Sequence, residues 1–489
     1  MLKKIFKISL LCLATTTVYA ENSCITDISM YDGPINFYGC HLQDSDVPAI
    51  LDYVKKNNRT TIIINNNDLT SKAAIMIAEE APDLTYVALR DNHIGDKGAK
   101  ALSEMKKLHT LYLNHNDISN KGAIDIAKNS TLKLLGLDNN HISSQGAKAL
   151  AHMQSIEEMS LANNPIGDEG ASAFTSSAIN KLSLAGVGLT SASIGMLAKN
   201  QFIEHLDLSN NPIGDQGAIA LTANNKIFEI NVSNTNMTDK AIFALSRSKN
   251  FAWLNFSDNQ ITTAGVKSLV EDSIVCVLTL RNSHLNLDSL KILSKDTRLW
   301  KLDLSGNEMD DVGVSYVVQI PHVHTLALNN NRITKVGADY IYDNNVISNL
   351  DIDSNELGDE GAQILAKDIT LNSLSMANNH ITVKSMPVFA RRSPLDFSLA
   401  DNNIGDEGVA ILTKGRVLKG RFSFDVSNCG LTNKAALDIA KVIQEPFYYI
   451  NVSNNHIGPT GIAALKNKFE RGISVLYVND NDGVDLSRG

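Results

Sequence analysis

The chain has no long run of charge of either sign: 44 Lys and Arg stand against 53 Asp and Glu, for a net charge of −9. That balance excludes a basic nucleic-acid-binding protein. Beyond its first twenty residues it also lacks any segment with the ~20 apolar residues of a membrane helix. Cysteines are few, five in 489 residues, and aromatics make up only 6%. Apolar residues are plentiful, and at 43% the chain is too hydrophobic for disorder and too long for one ordinary core. Several domains or a single repeat array remain.

Lys3, Lys4 and Lys7 precede an apolar stretch from Ile8 to Val18, which ends Val18-Tyr19-Ala20. This is the layout of a secretory signal peptide over residues 1–20, cut after Ala20, and it is too short to span a bilayer. Leu11 before Cys12 is too large for a lipoprotein site. The expected location is periplasmic or secreted. Cys24, Cys40, Cys276 and Cys429 then remain for an oxidising compartment, and only Cys24 and Cys40 are close in sequence. A bridge between those two would close a loop of about 15 residues, worth roughly 3 kcal/mol in the chain-entropy model.

The rest of the chain repeats itself. Val87-Ala-Leu89-Arg-Asp-Asn92-His-Ile94-Gly-Asp-Lys-Gly98-Ala99 returns as Leu111-Tyr-Leu113-Asn-His-Asn116-Asp-Ile118. It returns again as Leu206-Asp-Leu208-Ser-Asn-Asn211-Pro-Ile213-Gly-Asp-Gln-Gly217-Ala218, and as Leu350-Asp-Ile352-Asp-Ser-Asn355-Glu-Leu357-Gly-Asp-Glu-Gly361-Ala362. The pattern LxxLxLxxNxL resembles the leucine-rich repeat, and the IGDxGAxxLA continuation resembles its ribonuclease-inhibitor-like subclass in a short bacterial form. Counted from the Asn slot, nineteen units run from Cys40 to Asn481, first in steps of 27 and 25, then of 23 or 24 as far as Asn402, and finally 27, 26 and 26. Residues 21–34 precede the array as an N-terminal cap segment, and the array fills residues 35–489 with its last three units longer. No room is left for a separate catalytic domain.

The slots have physical readings. In each strand Val87 and Leu89, or their equivalents, face the core while Ala88 and Arg90 face away. The Asn side chain bonds backbone where the chain leaves the strand, and Cys40 and Cys429 occupy slots where Cys also serves. For Cys40 this reading competes with the bridge to Cys24. Four residues after the slot come helix-capping types, as in Ser71, Asp96, Asn120 and Asp168. Six after comes Gly, Ala or Ser, and ten after an apolar column runs from Ile77 to Leu465. The fold expected is an α/β leucine-rich-repeat solenoid, a curved horseshoe with a parallel β-sheet on the concave face and short helices on the convex face.

Function in such a scaffold belongs to the outward strand positions, most of which here are small and polar. Tyr38, Ile63, Tyr86, Arg90, Tyr112, His115 and Leu134 break that rule on adjacent units, and Tyr and Arg dominate binding hot spots. Trp253 stands alone among Ser and Asn, and Tyr449 and Tyr477 form a weaker pair. The acidic outward set Asp207, Asp303, Asp351, Asp353, Asp396 and Asp425, with Glu158 and Glu229, favours a basic partner, although Leu-Asp-Leu-Ser is also the commonest spelling of the repeat. Ribonuclease inhibitors likewise hold basic partners on acidic surfaces.

Other motifs dissolve under the repeat. The triplets at Asn231, Asn255 and Asn451 match glycosylation sites but arise from the strand consensus. Six of twelve His follow the ladder slot too far apart to share a metal, and no Ser, His and acid break the pattern together. The reading is no enzyme, no cofactor and no metal. Arg391, Arg392, Lys414, Arg416, Lys419 and Arg421 form a basic stretch read as a solvated loop or an anion contact.

The expectation is thus an exported, non-catalytic protein-binding scaffold, a monomer that holds another protein, basic or of host origin, on its concave face as bacterial host-interaction and virulence factors do. The alternative is an envelope-associated structural protein that self-associates through an uncovered C-terminal edge or binds surface glycan.

Overall fold

A computed structural model describes residues 35–37, 39–393, 395–418, 423–443, 449–472, 476–478 and 481. The signal peptide, the cap segment with Cys24, and Tyr38, Lys419 and Arg421 lie outside the described residues. The chain falls into two compact units, one of residues up to Gln260 with Asp272–Ile274, the other of Ile261–Glu271 with residues from Val275 onward.

The first unit carries ten described strands, from Ile35–Asn36 to Trp253–Asn255, each parallel to the next. The second carries nine, from Val277–Thr279 to Leu476–Tyr477, paired in the same way. Register is set one repeat apart, so Tyr86 opposes Thr110 and Thr110 opposes Leu134. The central strand residue points inward, as Ile62, Val87, Leu111 and Leu302 show at 0% exposure. A helical turn or short helix follows most strands and covers the other side of this core. The apolar column ten after the Asn slot is its spine: Ile77, Leu102, Ile126, Leu150 and Phe174 are fully buried. The fold is the expected leucine-rich-repeat α/β solenoid.

The small residue six after the slot is explained by close approach. A Cβ on Gly98 would stand 2.5 Å from Ile94 Cγ2 and 2.9 Å from Ala74 Cβ of the previous helix. The Asn ladder also forms. Asn116, fully buried, donates to the carbonyls of Leu89 (2.7 Å) and Asn114 (3.0 Å), while its Oδ1 accepts from Ile94 N (3.1 Å). Each ladder residue therefore satisfies backbone of the preceding unit as well as its own. Cys429 serves in the slot as a free thiol, with Sγ donating to Leu399 O at 3.1 Å. Cys40 is disulfide-bonded, and its backbone N donates to Asn67 Oδ1 at 3.0 Å.

The missing ladder residues at Val187 and Thr235 have a local remedy. Each follows a unit spelled Asn-Asn-Pro-Ile-Gly-Asp, in which Ile166 N and Ile213 N donate instead to the carbonyls of Asn164 and Asn211, both at 2.8 Å. Proline fixes the φ that this tight turn needs.

Helix capping departs from expectation. Where a hydroxyl caps the helix it is the residue three after the slot, as with Thr70, Ser119, Thr190, Thr238, Thr334, Thr382 and Thr432, which accept from the N–H two residues on, whereas the Gly-Asp units start their helices without a side-chain cap. The acidic residue four after the slot acts on the next unit: Asp168 Oδ2 accepts from Thr190 Oγ1 at 2.6 Å and Oδ1 from Thr190 N at 2.9 Å. The same clasp joins Asp215 to Thr238, Asp359 to Thr382 and Asp406 to Thr432. Over 164–238 and 355–432, units with Gly-Asp alternate with units capped by Thr.

A second ladder, thirteen after the slot, was not expected. Asn129, Asn200 and Asn224 are buried there and donate to carbonyls of the preceding unit, Asn200 to Phe174 O at 2.7 Å and Ser177 O at 2.9 Å. Arg392 holds the same position, 8% exposed, with its guanidinium on the carbonyls of Ala366, Asp368 and Leu371. That corrects the reading of the basic stretch: Arg392 is neither solvated nor offered to an anion, because a buried guanidinium takes carbonyls wherever the turn leaves them bare.

Candidate functional site

In the first unit, two rows of side chains run across the outward face of the sheet. One is Ile63, Ala88, Tyr112, Gly136 and Ser160; the other is Thr61, Tyr86, Thr110, Leu134 and Glu158. Tyr112 thus lies between Ala88 and Gly136, whose small size gives its ring room. Ala88, although outward, is only 2% exposed. The ring of Tyr86, on the neighbouring strand and offset by two residues, meets that of Tyr112 edge to face, with centroids 5.9 Å apart at 61°. Arg90 leaves the same strand as Tyr86 and lays its guanidinium over the Tyr112 ring, Cζ 4.2 Å from the centroid.

The backbone holds this arrangement in place. Arg90 N donates to Asn65 Oδ1 at 2.8 Å, and Arg90 O accepts from Asn66 N (2.8 Å) and Asn92 Nδ2 (3.0 Å). Arg90 Nε is buried and without a hydrogen-bond partner among the described residues. Burial pushes the Tyr86 hydroxyl above its ordinary pKa, the Tyr112 phenol adds to this, and Arg90 partly opposes it, so Tyr86 remains a neutral donor.

Of the residues singled out in sequence, Tyr86, Arg90 and Tyr112 come together and Ile63 lies half-buried beside them in the Tyr112 row. His115 does not join them. It sits exposed in the following turn, with Nδ1 3.0 Å from Asp91 Oδ1. Trp253 belongs to a separate chain of rings in the same unit: it meets Phe228 at 6.4 Å, Phe228 meets His205 at 4.7 Å, and His205 Nδ1 reaches Glu229 at 2.6 Å. Phe228 and His205 were missed in sequence; His205 stands in the same outward slot as Trp253, six before the ladder position, and was the available signal.

The acidic set divides by role. Asp207 Oδ1 accepts from Ser209 N (2.9 Å) and Ser209 Oγ (2.7 Å), and Asp303 and Asp425 do the same with Ser305 and Ser427. Each therefore ties down the turn that follows its strand. Asn231, Asn255 and Asn451 make identical bonds to Ser233, Ser257 and Ser453 N, which accounts for their triplets. Asp303, buried, also binds Arg281 Nε at 2.5 Å, and Glu158 lies 3.8 Å from Lys181.

Four carboxylates of the second unit, Asp351, Asp353, Asp396 and Asp425, have no cationic partner among the described residues. Burial, with the Asp351 charge beside it, pushes Asp353 up to about 6, against hydrogen bonds from Ser375 Oγ (2.7 Å) and Ala377 N (2.6 Å). Asp396, Asp425, Tyr449 and the serines 373, 375, 398 and 423 line an open depression of about 200 Å³. Tyr449 donates to Asp425 Oδ2 at 3.2 Å and packs on Tyr477 at 5.5 Å; burial first, then Asp425, pushes its hydroxyl up to about 12. Among the described residues no three His, Cys, Asp or Glu cluster as a metal site would require, and no helix is long and apolar enough to cross a membrane.

The profile of the Leucine Rich repeat family matches residues 81–103, 104–127, 128–151, 152–174, 199–221, 254–270, 299–318, 319–341, 343–366, 396–410 and 449–466. No curated protein sequence is significantly similar to the chain. Among solved structures, it is similar to the plant peptide hormone receptor RGFR1 in complex with RGF2, at 13% identity over 88% of this chain and 84% of that one, with a TM-score of 0.31. A TDR receptor is similar at 14% identity over 90% and 92%, TM-score 0.37. The mouse RP105/MD-1 complex is similar at 14% identity over 86% of each chain, TM-score 0.44. The matched segments fall on the strand, ladder and helix of successive units described above, and the chain is a leucine-rich-repeat protein.

Proposed function

We propose that this chain is a non-catalytic scaffold that binds another protein on the outward face of its sheet, anchored by Tyr86, Arg90 and Tyr112. The observation that carries the reading is the stack itself: two tyrosines and an arginine, on a chain with few aromatics, held on an open face in contact with one another. Each ring and the guanidinium is pre-positioned by strand register, so little side-chain freedom is lost when a partner arrives. The carboxylates of the second unit that lack cations among the described residues would draw basic segments of a protein to that unit.

The layout of residues 1–20 supports export, to a periplasm or the exterior, and removal of those residues after Ala20. We place the chain in the short bacterial, ribonuclease-inhibitor-like form of the repeat, on its IGDxGAxxLA spelling, and among host-interaction factors.

The test is affinity capture with tagged exported chain, run beside the Tyr86→Ala, Tyr112→Ala double variant, from host-cell lysate and from bacterial envelope extract. A partner retained by the parent chain and lost by the variant is the expected result. Recovery only of envelope components, equally by both forms, would move the reading to a structural role in the envelope.

A further inference from the structure

Arg90 differs from the other outward-facing cations of its unit. Lys181 is paired with Glu158 at 3.8 Å, and His205 Nδ1 lies 2.6 Å from Glu229. Among the described residues Arg90 has only the Tyr112 ring beneath its guanidinium, and its buried Nε has no hydrogen-bond partner. The nearest acid in sequence, Asp91, is taken by His115 at 3.0 Å. Asp138, two strands along, is taken by Asn114 Nδ2 at 2.6 Å, Ser160 Oγ and Ala162 N. A guanidinium that is partly desolvated, fixed in orientation by a ring and left without a counter-charge is a receptor awaiting an anion.

From this we infer that Arg90 receives the carboxylate of an Asp or Glu side chain of the protein partner. The inference rests on the proposed binding role of the same face and adds the chemistry of the residue that docks there. One fixed positive charge, with no second free cation beside it among the described residues, matches a monovalent carboxylate better than a dianionic phosphate. The guanidinium fork matches a carboxylate in plane. The Tyr86 and Tyr112 hydroxyls, which donate to no protein group among the described residues, flank it as further donors.

The experiment is selection of a random twelve-residue peptide library on the full exported chain, with counter-selection on Arg90→Met, which keeps an apolar stem over Tyr112 while removing the charge. Selected peptides are then remade with each Asp or Glu changed to Asn or Gln, and their affinities are measured on the parent chain, on Arg90→Met, on Arg90→Lys and on Tyr86→Ala, Tyr112→Ala. The expected result is that Arg90-dependent peptides carry one acidic residue whose amide form binds at least tenfold more weakly. Arg90→Lys should recover part of the loss, and the amide change should have no effect on Arg90→Met. Arg90-dependent peptides without an acid, or amide forms that bind equally, would overturn the carboxylate assignment. Peptides that depend on the tyrosines but not on Arg90 overturn it too, yet leave the binding role standing. If no peptide depends on any of the three residues, both fall.

Discussion

Gly136 lies directly opposite Tyr112 on the next strand, and a methyl group at 136 would sit 2.6 Å from Tyr112 Cδ1. The ring occupies the space that the absent side chain leaves. Gly136→Ala must push it toward Ala88 and disturb the guanidinium above it. We expect a stability loss of about 1 kcal/mol, since the half-buried ring can partly yield, together with altered near-UV circular dichroism and a partner affinity about tenfold weaker. An unchanged aromatic signal and affinity would mean that the ring position is not set by residue 136.

Asn211 has 0% exposure and serves five backbone groups: its Nδ2 donates to the carbonyls of Leu184, Leu208 and Ser209, and its Oδ1 accepts from Val187 N and Leu189 N. Asn211→Ala strands them in a dry interior and should cost about 3 kcal/mol or more. Val187→Ala, one unit earlier in a slot that needs no amide, should cost about 1 kcal/mol through lost packing alone. Urea unfolding followed by fluorescence and by far-UV dichroism gives both numbers, and near-equal losses would contradict the ladder's weight.

Asp353 titrates near 6 instead of 3.8, through burial first and the neighbouring Asp351 second. A carboxyl whose folded pKa is raised holds its proton more tightly in the native state. Its contribution is therefore fully present below about pH 4 and is lost as pH rises through about 6. Both bonds it accepts go to Oδ1, so Asp353→Asn can keep them. Asp353→Asn should be the more stable form above pH 7, by on the order of 1 kcal/mol, and lack the decline between pH 4 and 7. Unfolding midpoints at half-unit pH steps test this; parallel profiles would refute it.

Cys429 is 1% exposed and its thiol is pushed up to about 12, by burial above all. At pH 8 it is protonated and sealed, so maleimide should label it only when its part of the array opens. The labelling rate should rise steeply in sub-denaturing urea, at least tenfold before the main transition. Labelling of Cys429 itself in the native chain, read by peptide mass spectrometry apart from the half-buried Cys276, at the rate of an exposed thiol would show the packing around residue 429 to be loose.

The repeat was legible because each unit makes the same contact in the same place: a residue such as Leu102 has one environment, copied along the chain, and a period survives where a single site would not. The neighbourhood of Tyr86, Arg90 and Tyr112 was legible for the same reason, since slot number fixes position on the face. Their contacts were not. Whether Arg90 turns to a carboxylate or to a ring depends on which acids nearby are already engaged, and Asp91 and Asp138 are occupied by partners a repeat count does not reveal. The cap was placed one residue late because Asp and Thr are equally good capping types, and only geometry shows Asp168 reaching forward to Thr190. Arg392 reads in sequence as one of a charged pair, and nothing in its own type discloses that four residues of the preceding turn present bare carbonyls to it. The Ser two residues after Asp207, Asp303 and Asp425 was in plain view, and it marked those acids as turn-holders.

The clasp between a Gly-Asp unit and the Thr-capped unit after it gives the array a grain of two. Over 164–238 and 355–432 every junction is one of two kinds, and the kinds take turns. Excising one Gly-Asp unit there sets like beside like: Thr238 would face Ser191, or Thr432 would face Val383, where its carboxylate should be. Excising two restores the sequence of junctions. Chains of this design can therefore lengthen and shorten by pairs of units at little cost but pay for odd numbers, and related chains should differ in length, within such stretches, by about 47 to 50 residues at a time rather than 23 to 27.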